Sequence, residues 1–242
     1  LKWLNRLEFK DWVPPALAFA SRWRNSPERM EAYFRDLERL GYSMLVRKSG
    51  IKERIERFSK LTAAIEKGDD LSVDGSPLQL DPFEQDATYG ALAGPVYETF
   101  SARACSTLLV RLDALLSGGG ASYDYAIITV EHVLPQTPES GSEWLAWFPE
   151  TADRIKWVHC VGNLALLTRR KNSSARNFSF ERKKNAYFSK GGVSPFVLTT
   201  QVLQHSQWTP DIVETRQNEL LTRLEKHWRL ENRKNLLEGF LS

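Results

Sequence analysis

The chain has 242 residues, of which 42% are hydrophobic and 26% charged, and its formal net charge is only +3. This length allows one large domain or two small ones with a real core. No stretch approaches the roughly 18 consecutive apolar residues that span a bilayer, and no signal peptide is visible at the start, where charged and apolar residues mix. We therefore expect a globular protein without membrane association.

Two cysteines, Cys105 and Cys160, lie far apart in the sequence and form no CxxC pair. This usage indicates a reducing compartment, without a disulfide or zinc framework. We therefore expect a cytoplasmic protein. Because residue 1 is Leu rather than Met, we also expect the chain to be a fragment of a longer protein.

The first 120 residues are predicted to be helical. The pair Ser26-Pro27 is typical of an N-cap followed by a first helical turn. The helix that it opens is expected to run towards Leu40 and to end at Gly41, since glycine is common just past a helix C-terminus.

Two further helices are predicted in this half. Apolar residues recur at helical spacing from Ile51 until Gly68, and a polar loop is expected over 68–82. The stretch from 97 to 116 carries a stripe of leucines and is predicted to be the next helix, which the triple glycine 118–120 ends.

The triple glycine is also the clearest boundary in the chain. We predict a helical scaffold or linker over residues 1–120 and a separate domain over residues 121–242. All four histidines follow the boundary, and they are His132, His159, His205 and His227.

After residue 121 the pattern changes to a mixture of strands and helices. Residues 125–130 and 161–168 have the length and apolar content of strands. Residues 178–189 are predicted to form a helix, and Thr209-Pro210 opens a long amphipathic helix. The predicted fold is therefore mainly α with a small β component.

A strongly basic run lies between residues 169 and 190. It contains eight cationic residues and one acid, Glu181, within 22 residues; the cations are Arg169, Arg170, Lys171, Arg176, Arg182, Lys183, Lys184 and Lys190. A local field of this sign suits a polyanion such as nucleic acid. Taken alone, the run is equally compatible with a solvated helix face.

A carboxylate and an imidazole, Glu131 and His132, stand side by side at the end of the first predicted strand. Asn163 heads the second strand, and Asn172 follows nine residues later. Neighbouring side chains of a strand point to opposite faces, so the strand must end or twist here if both groups are to serve one site. Pro135 fits a chain that leaves the sheet at this point. Without the two asparagines, an ordinary surface acid–imidazole pair would be the better interpretation.

The order of these residues resembles the HNH, or His-Me finger, nuclease motif, a ββα unit built around one divalent metal ion. Several stretches are similar to the C-terminal endonuclease domain of the GmrSD-type modification-dependent restriction enzymes. They are "EHVLPQ" (131–136), "GNLALLT" (162–168), "NSSARNFSFERKKNAYF" (172–188) and, more approximately, "WTPDIVETR" (208–216). The resemblance implies a helical N-terminal half followed by a ββα-metal (HNH) nuclease core with additional C-terminal helices.

The same resemblance implies a metal-dependent DNA endonuclease, the effector part of a restriction system directed against foreign DNA. In that family a helical region precedes the nuclease and follows an N-terminal ParB-like nucleotidase domain. No trace of a nucleotidase domain is found in the sequence, so we expect it to be missing from this fragment. DNA is the expected partner, and a homodimer is possible.

The resemblance also assigns roles to the residues of the constellation. A neutral imidazole can accept a proton from water near physiological pH, which makes His132 the predicted general base. Glu131 and Asn172 offer the oxygen ligands that one Mg²⁺ (or Mn²⁺) prefers, and no cysteine lies near to favour zinc. Asn163 is expected to orient the loop that carries the histidine rather than to touch the substrate.

The basic run then gains a role in holding DNA. Arg170, Arg176, Lys183 and Lys184 are the predicted contacts to backbone phosphates, which position a nucleic acid without reading its sequence. Asn177 is compatible with a helix cap and with a metal-shell ligand, and the cap is favoured.

Other chemistry-bearing residues have structural interpretations that we prefer. His159 and Cys160 are adjacent and suggest a metal pair, but no other Cys or His has suitable spacing. The tryptophans are compatible with base stacking, although most are expected in the core because each buries a large area. Two alternative functions stay open, namely a catalytically inactive nucleic-acid-binding module of the same fold and an RNase.

Overall fold

The computed structural model describes residues 1–168, 178–189 and 193–232. The fold is mainly helical with one small antiparallel sheet of two strands. The α-helices are α1 (Val13–Trp23), α2 (Pro27–Val46), α3 (Ile51–Lys67), α4 (Pro82–Ala93), α5 (Val96–Thr99), α6 (Ala102–Leu116), α7 (Glu143–Trp147), α8 (Thr151–Trp157), α9 (Phe180–Lys183), α10 (Val197–Leu203) and α11 (Pro210–Trp228). The strands are β1 (Thr129–His132) and β2 (Leu164–Leu167). Among the described helices, none combines the length and apolarity that a membrane crossing requires.

The chain divides into two compact units. The first contains Leu1–Ala91 together with the chain from Trp228, and the second contains Leu92–His227. The compact units therefore separate ahead of the triple glycine 118–120, because α6 packs against both strands of the second unit. The assignment of residues 1–120 to a scaffold and of residues 121–242 to a nuclease domain stays a prediction.

In the first unit, the predicted end of α2 at Gly41 is wrong. The helix continues through Gly41 to Val46. A Cβ atom at Gly41 would lie 2.7 Å from Cδ1 of Leu7, so this glycine allows Leu7 to pack closely against the helix. By contrast, the predicted end of α3 is confirmed, because Gly68 adopts the left-handed conformation with φ +84° that favours glycine.

Helix α4 was not predicted, because the apolar residues of Pro82–Ala93 do not follow a clear helical stripe. Its start does carry a local signal. The carboxylate of Asp81 accepts the backbone N–H of Glu84 at 2.8 Å, and the backbone N–H of Asp81 donates to Glu84 Oε2 at 3.1 Å. This reciprocal pair is a capping box, which satisfies two backbone donors at a helix N-terminus.

In the second unit, the helix predicted from 97 to 116 is interrupted. Helix α5 ends at Thr99, and α6 begins at Ala102. The hydroxyl of Ser101 accepts the backbone N–H of Ala104 at 2.9 Å and so caps α6. Tyr97 therefore lies on the short helix α5, apart from α6.

The two strands pair in an antiparallel register that places Glu131 opposite Ala165 and His132 opposite Leu164. The first strand lies later in the chain than the predicted range of 125–130, and its last residue is His132. The second strand is shorter than predicted, because Val161–Asn163 forms a 3-10 turn ahead of it.

Large aromatic side chains form the core around this sheet. Trp144, Trp208, Phe180 and Phe188 are almost completely buried. The prediction that most tryptophans belong to the core is confirmed, since Trp157 is also buried.

The helix predicted over 178–189 is confirmed between Phe180 and Phe188. It begins as α9 and continues as a π-helical turn over Lys184–Phe188. Ser179 caps its start, because the Ser179 hydroxyl accepts the backbone N–H of Arg182. A π-helical turn is rare and is often found at functional sites.

Candidate active site

Strand β1 carries Glu131 and His132 at its end, as the sequence predicts. The exposure of its residues alternates, so that Glu131 is partly exposed and His132 is only 4% exposed. Successive side chains of a strand point to opposite faces. The strand therefore presents the carboxylate near the surface and holds the imidazole in a more enclosed position.

Polar groups surround the His132 ring. Its Nδ1 lies 3.2 Å from Nε2 of Gln136, and its Nε2 lies 3.2 Å from Nδ1 of His159. The ring of Tyr97 meets it edge-on, with the ring centroids 4.2 Å apart. The imidazole is thus buried among hydrogen-bonding partners rather than in an apolar interior.

Asn163 is completely buried and uses both ends of its amide. Its Oδ1 accepts the backbone N–H of Leu134 at 2.8 Å and the indole N–H of Trp208 at 3.0 Å. Its Nδ2 donates to the carbonyls of Leu134 at 3.1 Å and of Val158 at 2.9 Å. A buried amide of this kind must be fully satisfied, and here it fixes the chain two residues after His132.

A second set of contacts holds the turn that carries Asn163. The side chain of Gln217, on α11, accepts the backbone N–H of Gly162 at 2.6 Å. The Arg216 guanidinium donates to the carbonyls of Gly162, Leu164 and Leu198. Burial lowers the pKa of Arg216 to about 9. Helix α11 therefore anchors the turn that carries Asn163.

The position of Lys183 contradicts its predicted contact with DNA phosphate. Its side chain is only 2% exposed, and Nζ donates to the carbonyls of His132 at 2.7 Å and Val133 at 3.0 Å. Nζ also lies 4.0 Å from Oε1 of Glu131. Burial lowers the pKa of Lys183 to about 8, which the carboxylate of Glu131 partly opposes. An ammonium enclosed in this way serves the end of β1 rather than a ligand on the surface.

Lys184 is engaged within the unit as well. Its Nζ donates to the carbonyl of His205 at 3.1 Å and forms an ion pair with Glu181 at 2.9 Å. It is partly exposed, so its predicted contact with phosphate stays a prediction.

The remaining predicted site residues lie outside the described residues. They are Arg170, Asn172 and Arg176, and Asn177, predicted as a cap or a metal-shell ligand, lies outside them as well. Among the residues that the structure describes, no group of three or more His, Cys, Asp or Glu side chains could hold a metal ion. The proximity of Glu131 and Asn172 therefore stays a prediction.

The structure adds residues that the sequence analysis did not assign to the site. Three of these residues lie in stretches that resemble the GmrSD family, so the resemblance could have pointed to them. Gln136 lies in "EHVLPQ", and Trp208 and Arg216 lie in "WTPDIVETR". His159 was interpreted as structural because its only visible partner was the adjacent Cys160. No sequence signal pointed to Tyr97, which lies 35 residues before His132.

A comparison with known protein families identifies the family of this part of the chain. The protein-family model described as "GmrSD restriction endonucleases, C-terminal domain" matches residues 85–223, which is more than half of the chain. The matched range contains both strands and every site residue named above. The comparison with curated proteins found no match.

Gly162 provides a test of how the site is anchored. A Cβ atom there would lie 2.7 Å from the Val213 carbonyl oxygen and 3.1 Å from the Gln217 backbone nitrogen, and backbone atoms cannot move aside easily. We expect Gly162→Ala to destabilise the protein by about 1–3 kcal/mol, as overpacking typically does.

The matched control is Gly90→Ala, within α4, where a new Cβ has no neighbour within 4 Å. That change should stabilise slightly, by about 0.5–1 kcal/mol, because alanine loses less entropy in a helix than glycine. Differential scanning calorimetry of both variants measures the difference. Equal melting profiles for the two variants would contradict the close packing of Gly162 on α11.

Proposed function

Since the chain belongs to the family of GmrSD restriction endonuclease C-terminal domains, we propose that it is a metal-dependent DNA endonuclease of the HNH (His-Me finger) type. It hydrolyses phosphodiester bonds as the effector part of a restriction system directed against foreign DNA. We place it in the cytoplasm, with a ParB-like nucleotidase domain as the partner that precedes it.

One observation carries the proposal. A histidine at the end of a short strand is held by a buried asparagine from the turn before the paired strand, through the backbone of Leu134. The helix that follows β2 reaches the same strand end through Lys183. Two strands and a helix thus meet at His132, which is the arrangement expected of a ββα nuclease core.

His132 acts as the general base in this proposal. An imidazole can take a proton from the attacking water near neutral pH, and a positioned base of this kind contributes about 10²–10⁴-fold to a rate. Hydrogen bonds to the backbone at His132 and just after it fix where the imidazole stands. Asn163 contributes through Leu134 and Lys183 through the carbonyl of His132 itself.

Glu131 and Asn172 would hold one divalent metal ion. The donor set of one carboxylate and one amide oxygen fits Mg²⁺ or Mn²⁺, because such ions bind through one or two carboxylates and keep several waters. When bound, the ion supplies Lewis-acid stabilisation of the phosphate and of the leaving oxygen. The partly exposed carboxylate of Glu131 is accessible for this role, with the Lys183 ammonium behind it.

The remaining cations of the basic run hold the DNA backbone. We assign phosphate contacts to Arg170, Arg176 and Lys184 and remove Lys183 from this set because it is buried. Such contacts supply affinity without sequence preference. Two other functions compete with this proposal. An inactive nucleic-acid-binding module would bind DNA without Mg²⁺-dependent cleavage, and an RNase would prefer RNA in direct competition.

The proposed activity is tested with supercoiled plasmid DNA. Wild type should produce nicked or linear product only with Mg²⁺ or Mn²⁺, and His132→Ala should abolish it while leaving DNA affinity nearly unchanged. The reason is that affinity comes from the basic residues rather than from the base. Intact plasmid with wild type and metal would refute the endonuclease. Equal loss of binding and cleavage in His132→Ala would contradict the division of roles.

The burial of Lys183 yields a separate prediction about binding. On duplex DNA, the plot of log affinity against log salt concentration has a negative slope, and its magnitude decreases by about 0.9 for each phosphate contact that is lost. Lys183→Met, which keeps the length of the side chain, should leave this slope unchanged, whereas Arg176→Gln should reduce its magnitude by about one contact. Fluorescence anisotropy over a salt series measures both. A reduced slope in Lys183→Met would restore Lys183 as a phosphate contact.

A further inference from the structure

We propose that His159 is a positioning residue for His132, and that it sets the orientation and the tautomer of that imidazole. The inference rests on the proposed function, in which His132 is the general base, and it adds a second histidine to the site. Neither the family match nor the sequence pattern assigns this role to His159.

The hydrogen-bond donors decide which nitrogen of His132 carries the proton. The side-chain nitrogen of Gln136, which can only donate, is the atom that lies 3.2 Å from Nδ1 of His132, and with the amide in this orientation Nδ1 accepts. The proton of the neutral ring is then on Nε2. That N–H donates to Nδ1 of His159 at 3.2 Å, so His159 is the acceptor that selects this tautomer.

Tyr97 holds the acceptor in place. Its backbone N–H donates to the carbonyl of His159 at 3.1 Å. Its ring lies nearly parallel to the imidazole of His159, with an interplanar angle of 7° and the centroids 5.8 Å apart. The same ring meets His132 edge-on. One aromatic side chain therefore contacts both imidazoles and fixes the angle between them.

Asn163 links the two histidine-bearing segments. Its Nδ2 donates to the carbonyl of Leu134, two residues after His132, and to the carbonyl of Val158, directly before His159. The backbone N–H of Asn163 also donates to the carbonyl of Cys160. A single buried amide therefore sets the distance between the segments that carry the base and its acceptor.

The alternative role of His159, as a metal ligand together with Cys160, does not fit these contacts. The thiol of Cys160 is buried and points to the carbonyl of Lys156 at 3.1 Å. Burial also raises the pKa of the thiol, with Lys156 opposing, so that the thiolate needed for metal binding is disfavoured. His159 is directed instead towards His132.

The selected tautomer directs the chemistry of His132 towards the surface. The lone pair on Nδ1 faces Gln136, whose side chain is exposed. Water can take the place of the Gln136 amide on that side without disturbing His159. A base whose basic nitrogen faces a surface side chain, and whose other nitrogen is tethered, is prepared for proton abstraction once that side chain moves aside.

The test uses an isosteric pair of variants in the full chain. Asparagine and leucine have nearly the same shape, but only His159→Asn keeps an acceptor near the position of Nδ1. In single-turnover cleavage of plasmid DNA, we expect His159→Leu to lose about 10- to 100-fold in rate, by analogy with the loss typical of partners that orient a metal-bound imidazole. His159→Asn should lose much less, and neither variant should change the affinity for DNA.

A spectroscopic measurement makes the test independent of activity. In ¹⁵N-histidine NMR spectra, the His132 resonances should show the proton on Nε2 in the wild type and in His159→Asn. In His159→Leu they should show a mixture of tautomers. The wild-type spectrum decides the hydrogen-bond pattern even if a variant fails to fold.

The outcomes separate this inference from the proposed function. No cleavage by wild type would overturn the proposed function and the role of His159 with it. Cleavage by wild type, together with a proton on Nδ1 of His132 or with equal rate losses in the two variants, would overturn the role of His159 alone.

Discussion

The arrangement of the site depends on the side-chain amide of Asn163. Its four hydrogen bonds join the chain after His132, the chain before His159 and the indole of Trp208. An unsatisfied buried polar group costs about 1–3 kcal/mol, whereas a satisfied one is nearly neutral or favourable. Any displacement of one segment therefore breaks bonds in the others. The amide makes the separation of the two histidines a property of the core rather than of a surface loop.

Two buried cations hold the segments that Asn163 joins. Arg216 binds the carbonyls of the turn that carries Asn163, and Lys183 binds the carbonyls at the end of β1. Both cations lose solvation on burial, and so the pKa of each is lowered. That cost is tolerated because the carbonyls at strand ends and turns lack partners in the two-stranded sheet. Such a small sheet needs side chains to complete its hydrogen bonding.

The sequence predicts where the polar residues of the site stand relative to the two strands, because these positions depend on local sequence. Strand β1 ends in Glu131 and His132, and Asn163 stands directly before β2, because these features depend on residues that are neighbours in the chain. The buried tryptophans were equally predictable from their size. Local patterns thus specified the two strands and the polar residues that stand at their ends.

The surroundings of His132 were not predictable, because they depend on distant segments. Tyr97 contacts His132 from α5, which ends before α6 begins, whereas the sequence predicts one continuous helix there. Lys183 belongs to a run of cations, which is the pattern expected of phosphate contacts. Its side chain is nevertheless buried and binds the end of β1. A run of charged residues indicates the sign of the local electrostatic field, whereas tertiary packing decides where each side chain points. Gly41 is a second example. Glycine is favoured both at a helix end and where another side chain packs closely, and only the structure shows that Gly41 serves the packing of Leu7.

In the proposed site, His132 and Glu131 address one phosphate of bound DNA. This arrangement is tested most directly by a crystal structure of the chain with an uncleavable DNA duplex and Mn²⁺, with the ion located by its anomalous signal. We expect an ion held by the carboxylate of Glu131 and the amide oxygen of Asn172, with Nδ1 of His132 within hydrogen-bond reach of a water beside the scissile phosphate. An ion bound elsewhere, or a phosphate out of reach of the imidazole, would contradict it.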